Sequence, residues 1–197
     1  MTDTRLVLAS GNPGKLEEFR ALLDQTGHGF TLLGLGDFPG AEMPDEGTDY
    51  AINAALKART IAQATGLPAL ADDSGIEVAA LNGAPGPLSA RYGGPGLDDR
   101  GRVAHLLDEL GDAVERRAAF VCWAALGWPS GAVVVREGRC EGAILGAPSG
   151  RGGFGYDPVF RPDGFAVSMA EVPAGTKNRI SHRARALAAL APYLDRL

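Results

Sequence analysis

Cysteine is nearly missing from this chain. Cys122 and Cys140 are the only two in 197 residues and share no CxxC spacing, so neither a metal knuckle nor a disulfide framework is suggested. Each sits in a strand-like run, where a small buried thiol is the ordinary reading. Histidine is as scarce, with His28, His105 and His182 alone, and no nucleophile-elbow pattern occurs; a Ser/His/Asp hydrolase is thereby disfavoured. Basic residues do not outnumber acidic ones: 19 Lys and Arg stand against 24 Asp and Glu, a formal net charge of −5. That balance argues against a broad nucleic-acid-binding surface and leaves room for a small basic pocket. No apolar run reaches the roughly 18 residues a membrane span needs, and no signal peptide is legible at the N-terminus. A cytoplasmic protein without a membrane partner is the expectation. Internal repeats, low-complexity tracts and interdomain linkers are missing as well.

What is present suffices for a sizeable core: 45% of residues are hydrophobic and 22% charged, over a length that fits a single domain, residues 1–197. Many of the 28 glycines fall between periodic segments, where they let the backbone approach a ligand closely. Residues 5–9 predict a buried first strand. Ser10-Gly11-Asn12-Pro13-Gly14-Lys15 then turns the chain into a helix running to about Gln25. Asn12 is its N-cap, Pro13 fits the first position, and Leu16, Phe19, Leu22 and Leu23 face the core. Such a strand–turn–helix unit offers N–H groups and a positive dipole end to an anion such as phosphate. It is not a Walker A loop, because Ala9 stands where that motif needs Gly and Leu16 where it needs Ser or Thr. Lys15 reads equally as a cation for that anion and as a solvated surface lysine.

Residues 68–75, Pro-Ala-Leu-Ala-Asp-Asp-Ser-Gly, are the stretch around which the chain is organised. Four small or apolar residues predict a short buried strand that ends at Asp72, Asp73 and Ser74. Two carboxylates at the end of an apolar strand call for a cation, and ligands of open α/β sheets sit just beyond strand carboxyl ends. An ordinary Asp-Ser-Gly turn is the competing reading. Upstream, residues 30–35 predict a second strand and residues 36–48 a loop rich in Gly, Pro and acid, including Glu42, Asp45 and Glu46. Thr48 or Asp49 caps a long alanine-rich helix to about Thr65, closed by Gly66. Ile52, Ala55, Leu56, Arg59 and Ile61 make no clean stripe along it. Asn53 and Lys57, four apart, share one face, either a solvent face or a wall beside Asp72 and Asp73.

Residues 76–81 read as a further strand in hairpin-like continuation. Residues 82–87 form a loop leading to Ser89-Ala90-Arg91-Tyr92, where Arg91 is either a phosphate ligand or the partner of an acid. Asp98 opens a helix through Leu110 with Val103, Leu106, Leu107 and Leu110 inward. Residues 118–127 and 132–145 are two long strands joined at Pro129-Ser130-Gly131, an antiparallel pair that makes the sheet mixed. A loop of small residues ends in Phe154-Gly155-Tyr156-Asp157-Pro158, whose aromatics either stack on a planar group or pack in a core. The chain closes with a helix burying Ala186, Leu187, Leu190 and Leu194. Lys177, Arg179 and Arg183 near its start oppose the helix dipole, which points to an anionic or polar partner.

Taken together, these stretches resemble the inosine triphosphate pyrophosphatase family, which hydrolyses non-standard purine nucleoside triphosphates. The matching segments are Ser10-Gly-Asn-Pro-Gly-Lys15-Leu-Glu-Glu18, Asn53-Ala-Ala-Leu-Lys57-Ala58, Ala71-Asp-Asp-Ser-Gly75 with Gly83-Ala-Pro-Gly86, Ser89-Ala-Arg-Tyr92, Gly153-Phe-Gly-Tyr-Asp-Pro158 and Ser181-His-Arg183. The resemblance implies an α/β fold: a long curved mixed β-sheet with flanking helices and two lobes around a nucleotide-binding cleft. It implies a Mg²⁺-dependent homodimer that cuts between the α and β phosphates, giving the monophosphate and pyrophosphate. By position, Ser10, Gly11, Asn12, Pro13, Gly14 and Lys15 would cradle the phosphates, with Lys57 as a further cation. Asp73 would be the catalytic carboxylate, general base and metal ligand, with Asp72 beside it, and Ser74 would touch the substrate. Phe154, Gly155, Tyr156 and Asp157 would hold the base, Phe154 stacking, and Lys177, His182 and Arg183 would complete the purine pocket. The family commonly places a metal-binding Glu where Asp45 stands. Here the Glu follows one later, at Glu46, so both join Asp72 and Asp73 as candidate ligands.

The residue types suit that chemistry. Clustered carboxylates rather than Cys/His sets are the hard oxygen ligands that Mg²⁺ takes, and Lys15 and Lys57 can neutralise charge at phosphorus. Selecting a 6-keto purine over adenine requires donors facing O6. Backbone N–H groups near Tyr156 and Asp157 and the side chains of His182 and Arg183 are candidates. The expected substrates are dITP, ITP and XTP, in a house-cleaning role that keeps deaminated purines out of DNA and RNA. A non-catalytic nucleotide sensor on the same scaffold is the alternative, against which the intact Asp72–Asp73 pair argues. A pyrophosphatase for modified pyrimidines is a third reading, against which Ser181-His182-Arg183 speaks.

Overall fold

The structure, a computed structural model, describes residues 4–27 and 29–197, so His28 lies outside the described residues. In chain order the elements are β1 (Thr4–Leu8), α1 (Pro13–Asp24), β2 (Phe30–Leu33), α2 (Tyr50–Thr65), β3 (Ala69–Val78), α3 (Asp99–Leu110), β4 (Arg117–Gly127), β5 (Val133–Ile144), β6 (Phe160–Pro162), α4 (Ala174–Ile180) and α5 (His182–Leu194). The strands form one sheet in the order β2-β1-β3-β4-β5-β6. β1 runs parallel to both β2 and β3, and β5 runs antiparallel to β6. Trp128 N–H bonds Ala132 C=O at one end of the next pair and Ile144 N–H bonds Arg116 C=O at the other, so β4 and β5 are antiparallel as expected. The sheet is mixed and the class α/β. No described helix is long and apolar enough to cross a membrane.

The chain divides into two compact units. The first takes the described residues of Met1–Asp73 with Cys122–Gly138 and Arg183–Leu197; the second takes Ser74–Val121 and Arg139–His182. In the first unit, helices cover both faces of β1 and β3, which is why these strands read as unbroken apolar runs. Leu6, Leu8 and Leu70 point to α1 and α5, packing with Phe19, Leu22, Leu23, Leu187 and Leu190. Val7, Ala9, Ala69 and Ala71 point the other way, onto Ala54, Ala58, Ile61 and Ala62 of α2. The buried face of α2 is thus built of small side chains, while Ile52 is 65% exposed; this is the source of the missing stripe. Small residues let the helix approach closely. A Cβ added at Gly127 would stand 2.7 Å from the backbone carbon and oxygen of Ala58.

The caps are those expected. Asn12, Asp49 and Asp98 side chains accept N–H groups at the starts of α1, α2 and α3, and Gly66 closes α2 in the left-handed conformation. Three expectations need correction. β3 does not end at Asp72-Asp73 and no turn follows; it runs unbroken through Ser74 and Gly75 to Val78, and residues 79–81 form a 3-10 turn rather than more strand. The loop expected around residue 87 contains a 3-10 turn at Gly86–Arg91. Lys177 and Arg179 do not stand at the start of the last helix. They occupy the last turn of the separate helix α4, where cations favour the dipole, and the chain is extended at Ser181 before α5 begins.

The second unit has its own core, in which Val103, Leu106 and Leu110 of α3 pack with Ile76, Val78, Phe120, Ile144, Phe160 and Met169. β6, too short to show a pattern of its own, pairs Phe160 with Ile144. Because backbone rather than a flexible side chain blocks position 127, Gly127→Ala is expected to lower unfolding free energy by about 1–3 kcal/mol, checked by urea denaturation at pH 7.

Candidate active site

The last register pair of β1 with β3 is Leu8 with Leu70. β3 continues past that point, so Asp72 and Asp73 lie just beyond the carboxyl end of the neighbouring strand rather than of their own. Alternate residues of a strand point to opposite faces, so these adjacent carboxylates part company. Asp72 follows Leu70 toward α1 and α5. Asp73 follows Ala71 toward α2.

Asp72 is fully buried and meets two cations: Lys15 Nζ lies 3.0 Å from Oδ1, and Arg183 Nε donates to Oδ2 at 3.2 Å. Arg183 also donates from its Nη1 to Glu18 Oε2 at 3.0 Å, so two acids and two bases balance one another. Burial pushes the Asp72 carboxyl upward, but Lys15, Arg183 and Lys57 outweigh it and hold the group well below the ordinary carboxylate range. Lys15 reaches this position because Pro13, Gly14 and Lys15 form the first turn of α1, which Asn12 caps by accepting Lys15 N–H at 3.2 Å. Ser10 Oγ in turn accepts Asn12 N–H at 3.2 Å. A side chain at Gly11 would meet nothing within 4 Å, so space beside this turn is open.

Asp73, 6% exposed, accepts from Asn53 Nδ2 at 2.8 Å and lies 3.6 Å from Lys57 Nζ. The same ammonium donates to Glu46 Oε1 at 2.8 Å. Two carboxylates therefore share the Lys57 ammonium. The Asp73 carboxyl is raised above its ordinary value, mainly by burial and further by Glu46, against the lowering effect of Lys57 and the Asn53 bond. Lys57 is raised as well: burial acts to lower it, but Asp72, Asp73 and Glu46 together prevail. Asp45 is exposed and forms no ion pair among the described residues.

In the second unit, Asp157 organises the aromatic loop. Its Oδ2 accepts Phe154 N–H at 3.0 Å and Lys177 Nζ at 2.6 Å, and that ammonium stands 5.3 Å from the Phe154 ring centre. Gly153 has a φ of +70°, and a Cβ there would collide with the Asp157 carboxylate, so only glycine fits. Gly155 N–H donates to Asp99 at 2.8 Å, and Tyr156 Oη donates to Ser89 C=O at 2.9 Å. His182 is buried and stacks on Phe120 with ring centres 4.8 Å apart. Ser74 is half-buried in β3. The expected donors to a purine O6 are therefore largely committed: Phe154 and Gly155 N–H to carboxylates, and Arg183, which belongs to the first unit, to Asp72 and Glu18.

The sequence pattern of the Ham1 family matches residues 6–193. The chain belongs to the Ham1 family. It is 50% identical over 194 residues to a protein named dITP/XTP pyrophosphatase from Geobacter sulfurreducens, covering 97% of this chain and 96% of that one. A protein of the same name from Streptomyces coelicolor is 46% identical over 197 residues, covering 98% of each. Among solved structures, a HAM1 protein from Coxiella burnetii superposes with a TM-score of 0.86 at 39% identity, covering 98% of this chain and all of that one.

Within this Ham1 chain no group of three or more His, Cys, Asp or Glu side chains among the described residues could hold a metal ion. The four carboxylates expected as ligands do not form one cluster: Asp72 faces away from Asp73, and the exposed Asp45 forms no ion pair among the described residues, whereas Glu46 meets Lys57. The pair that remains, Glu46 with Asp73, still fits Mg²⁺. That ion is bound through one or two carboxylates completed by substrate phosphates and water, not by an all-protein cage. Three residues of these networks were not among the expected site residues. Asn53 shares its helix face with Lys57, a signal that was visible. Glu18 is three residues from Lys15 on α1. Asp99 is 56 positions from its partner Gly155 and carries no local signal.

The buried network gives a stability expectation. Removing one partner strands a buried charge, so Arg183→Met should cost about 3–5 kcal/mol in urea unfolding at pH 7. For Asp72 the folded carboxyl is the depressed one. Its contribution is fully present above the ordinary value of 3.8 and is lost as pH falls below it. Asp72→Asn should therefore flatten the acid limb of a stability-versus-pH curve between about pH 4 and pH 2.

Proposed function

We infer that the chain hydrolyses noncanonical purine nucleoside triphosphates, dITP, ITP and XTP, to the monophosphate and pyrophosphate. The observation that carries this reading is the pairing of Asp73, buried in β3, and the more exposed Glu46 on the single ammonium of Lys57. Two neighbouring carboxylates repel a triphosphate unless a divalent cation joins them, and a buried carboxylate with a raised pKa is suited to activating water rather than to binding alone. Mg²⁺, when bound by Asp73 and Glu46 together with phosphate oxygens, would neutralise charge and orient the phosphates. Asp73 takes a proton from the attacking water as its oxygen bonds to the α-phosphorus. The bond from that phosphorus to the bridging oxygen breaks, and the electron pair leaves with pyrophosphate. Burial suits Asp73 to this work, since raising a carboxyl makes it the better base. Lys57 and Lys15 add positive charge for the equatorial oxygens.

Phe154 with its Lys177 neighbour supplies a planar apolar surface for the base. Asp157, which accepts Phe154 N–H, holds that surface in shape, and Ser74, Gly155, Tyr156, His182 and Arg183 belong to the same proposal. A homodimer, which the family resemblance implies, and a cytoplasmic location without a nucleic-acid partner, which composition and charge suggest, are part of the same reading.

Pyrophosphate release with Mg²⁺ should be fast from ITP, dITP and XTP and slow from ATP and GTP. Asp73→Asn should lower it by about 10²–10⁴-fold, a loss typical of a missing general base; release at wild-type rates from that variant would refute the role. A second measurement separates the two acidic loop residues. Glu46→Gln should raise the Mg²⁺ concentration for half-maximal rate by about tenfold or more, and Asp45→Asn should leave it within about twofold.

A further inference from the structure

We propose that Asn53 is a positioning residue that ties the loop carrying Glu46 to the carboxylate of Asp73, and so sets the spacing of the two acids that would share a divalent cation. The proposal rests on the reading of Glu46 and Asp73 given above. Asn53 is 3% exposed and uses its whole amide. Oδ1 accepts Gly47 N–H at 2.8 Å, and Nδ2 donates both to Gly47 C=O at 3.2 Å and to Asp73 Oδ2 at 2.8 Å. The amide has one orientation available, because turning it over would set Oδ1 against the Asp73 carboxylate. Gly47 immediately follows Glu46, so holding both of its backbone groups holds the residue that presents Glu46 to Lys57.

The side chain can do this because of where α2 places it. Asn53 and Lys57 are one helical turn apart on the face that the small residues Ala54 and Ala58 bring against the sheet. Lys57 meets Glu46 and Asp73 as a charge. Asn53 meets Asp73 and Gly47, the residue after Glu46, through three directed hydrogen bonds, which fix the loop backbone where the Lys57 ammonium touches only side chains. No shorter or purely accepting side chain could replace it. Serine cannot span Gly47 and Asp73, and aspartate has no donor for either and would repel Asp73.

The test uses the full-length wild type with Asn53→Ala, and Asn53→Ser as a second variant that keeps a polar group in the buried site should the first not fold. Two quantities are read: hydrogen exchange at the Gly47 amide, and the Mg²⁺ concentration for half-maximal pyrophosphate release from dITP. In the variants the Gly47 amide should lose its protection. The Mg²⁺ requirement should rise by about 10–100-fold, the usual loss on removing a group that orients a metal ligand. The rate at saturating Mg²⁺ should fall much less, a split that a merely structural defect would not produce. A folded variant with a wild-type Mg²⁺ requirement, or with Gly47 still protected, overturns the proposal while leaving the activity intact. A wild type that releases no pyrophosphate from dITP overturns the underlying reading and this proposal with it.

Discussion

Taking an ionised carboxylate out of water costs several kcal/mol unless cations surround it, and Asp72 imposes that constraint from the middle of a buried strand. The answer comes from two helices on the same face of the sheet, one bringing Lys15 and the other Arg183. Glu18 then balances the second cation. The arrangement pins the first turn of α1, and with it the Ser10–Lys15 loop, to a fixed point on β3. Cys122 shares this environment. Burial first, and Asp72 next, push its thiol far above the ordinary range, so it behaves as the inert packing residue its isolation suggested.

On the opposite face the same strand presents Asp73 under different terms. Here one ammonium serves two carboxylates, and a hydrogen bond from Asn53 stands in place of a second cation. The two neighbours thus sit in different electrostatic settings. Asp72 is met by Lys15 and Arg183, and its carboxyl is depressed, whereas Asp73 shares Lys57 with Glu46, and its carboxyl is raised. Strand alternation produces the difference, because residues one apart cannot meet the same partners. The alanine face of α2 serves it too: larger side chains there would hold Asn53 and Lys57 away from β3.

The aromatic loop of the second unit follows a similar economy. One carboxylate, Asp157, accepts a backbone N–H and an ammonium, and it leaves space only for glycine at position 153. A planar surface at Phe154 is thereby presented by a loop with little freedom of its own. The acids that organise the loop, Asp157 and Asp99, do so as acceptors for its N–H groups.

Local signals in the chain carried a good part of this. Helical spacing and capping residues located α1 and α3, capping and alanine content located α2, the hairpin at Pro129-Ser130-Gly131 made the sheet mixed, and the order of short motifs pointed to the family. These features depend on neighbours a few positions apart, and such neighbours interact the same way in any fold. The continuation of β3 through Asp-Asp-Ser-Gly was illegible for the converse reason. Polar residues favour a turn unless something remote compensates them, and here the compensation for Asp72 comes from Arg183, 111 positions away. The break between α4 and α5 likewise moved Lys177 from an unfavourable helix start to the side of Asp157. Periodicity and capping are set by the sequence itself. Which charge meets which, which of two adjacent acids is silenced, and which loop acid shares its cation depend on packing, because those partners become neighbours only when the chain has folded.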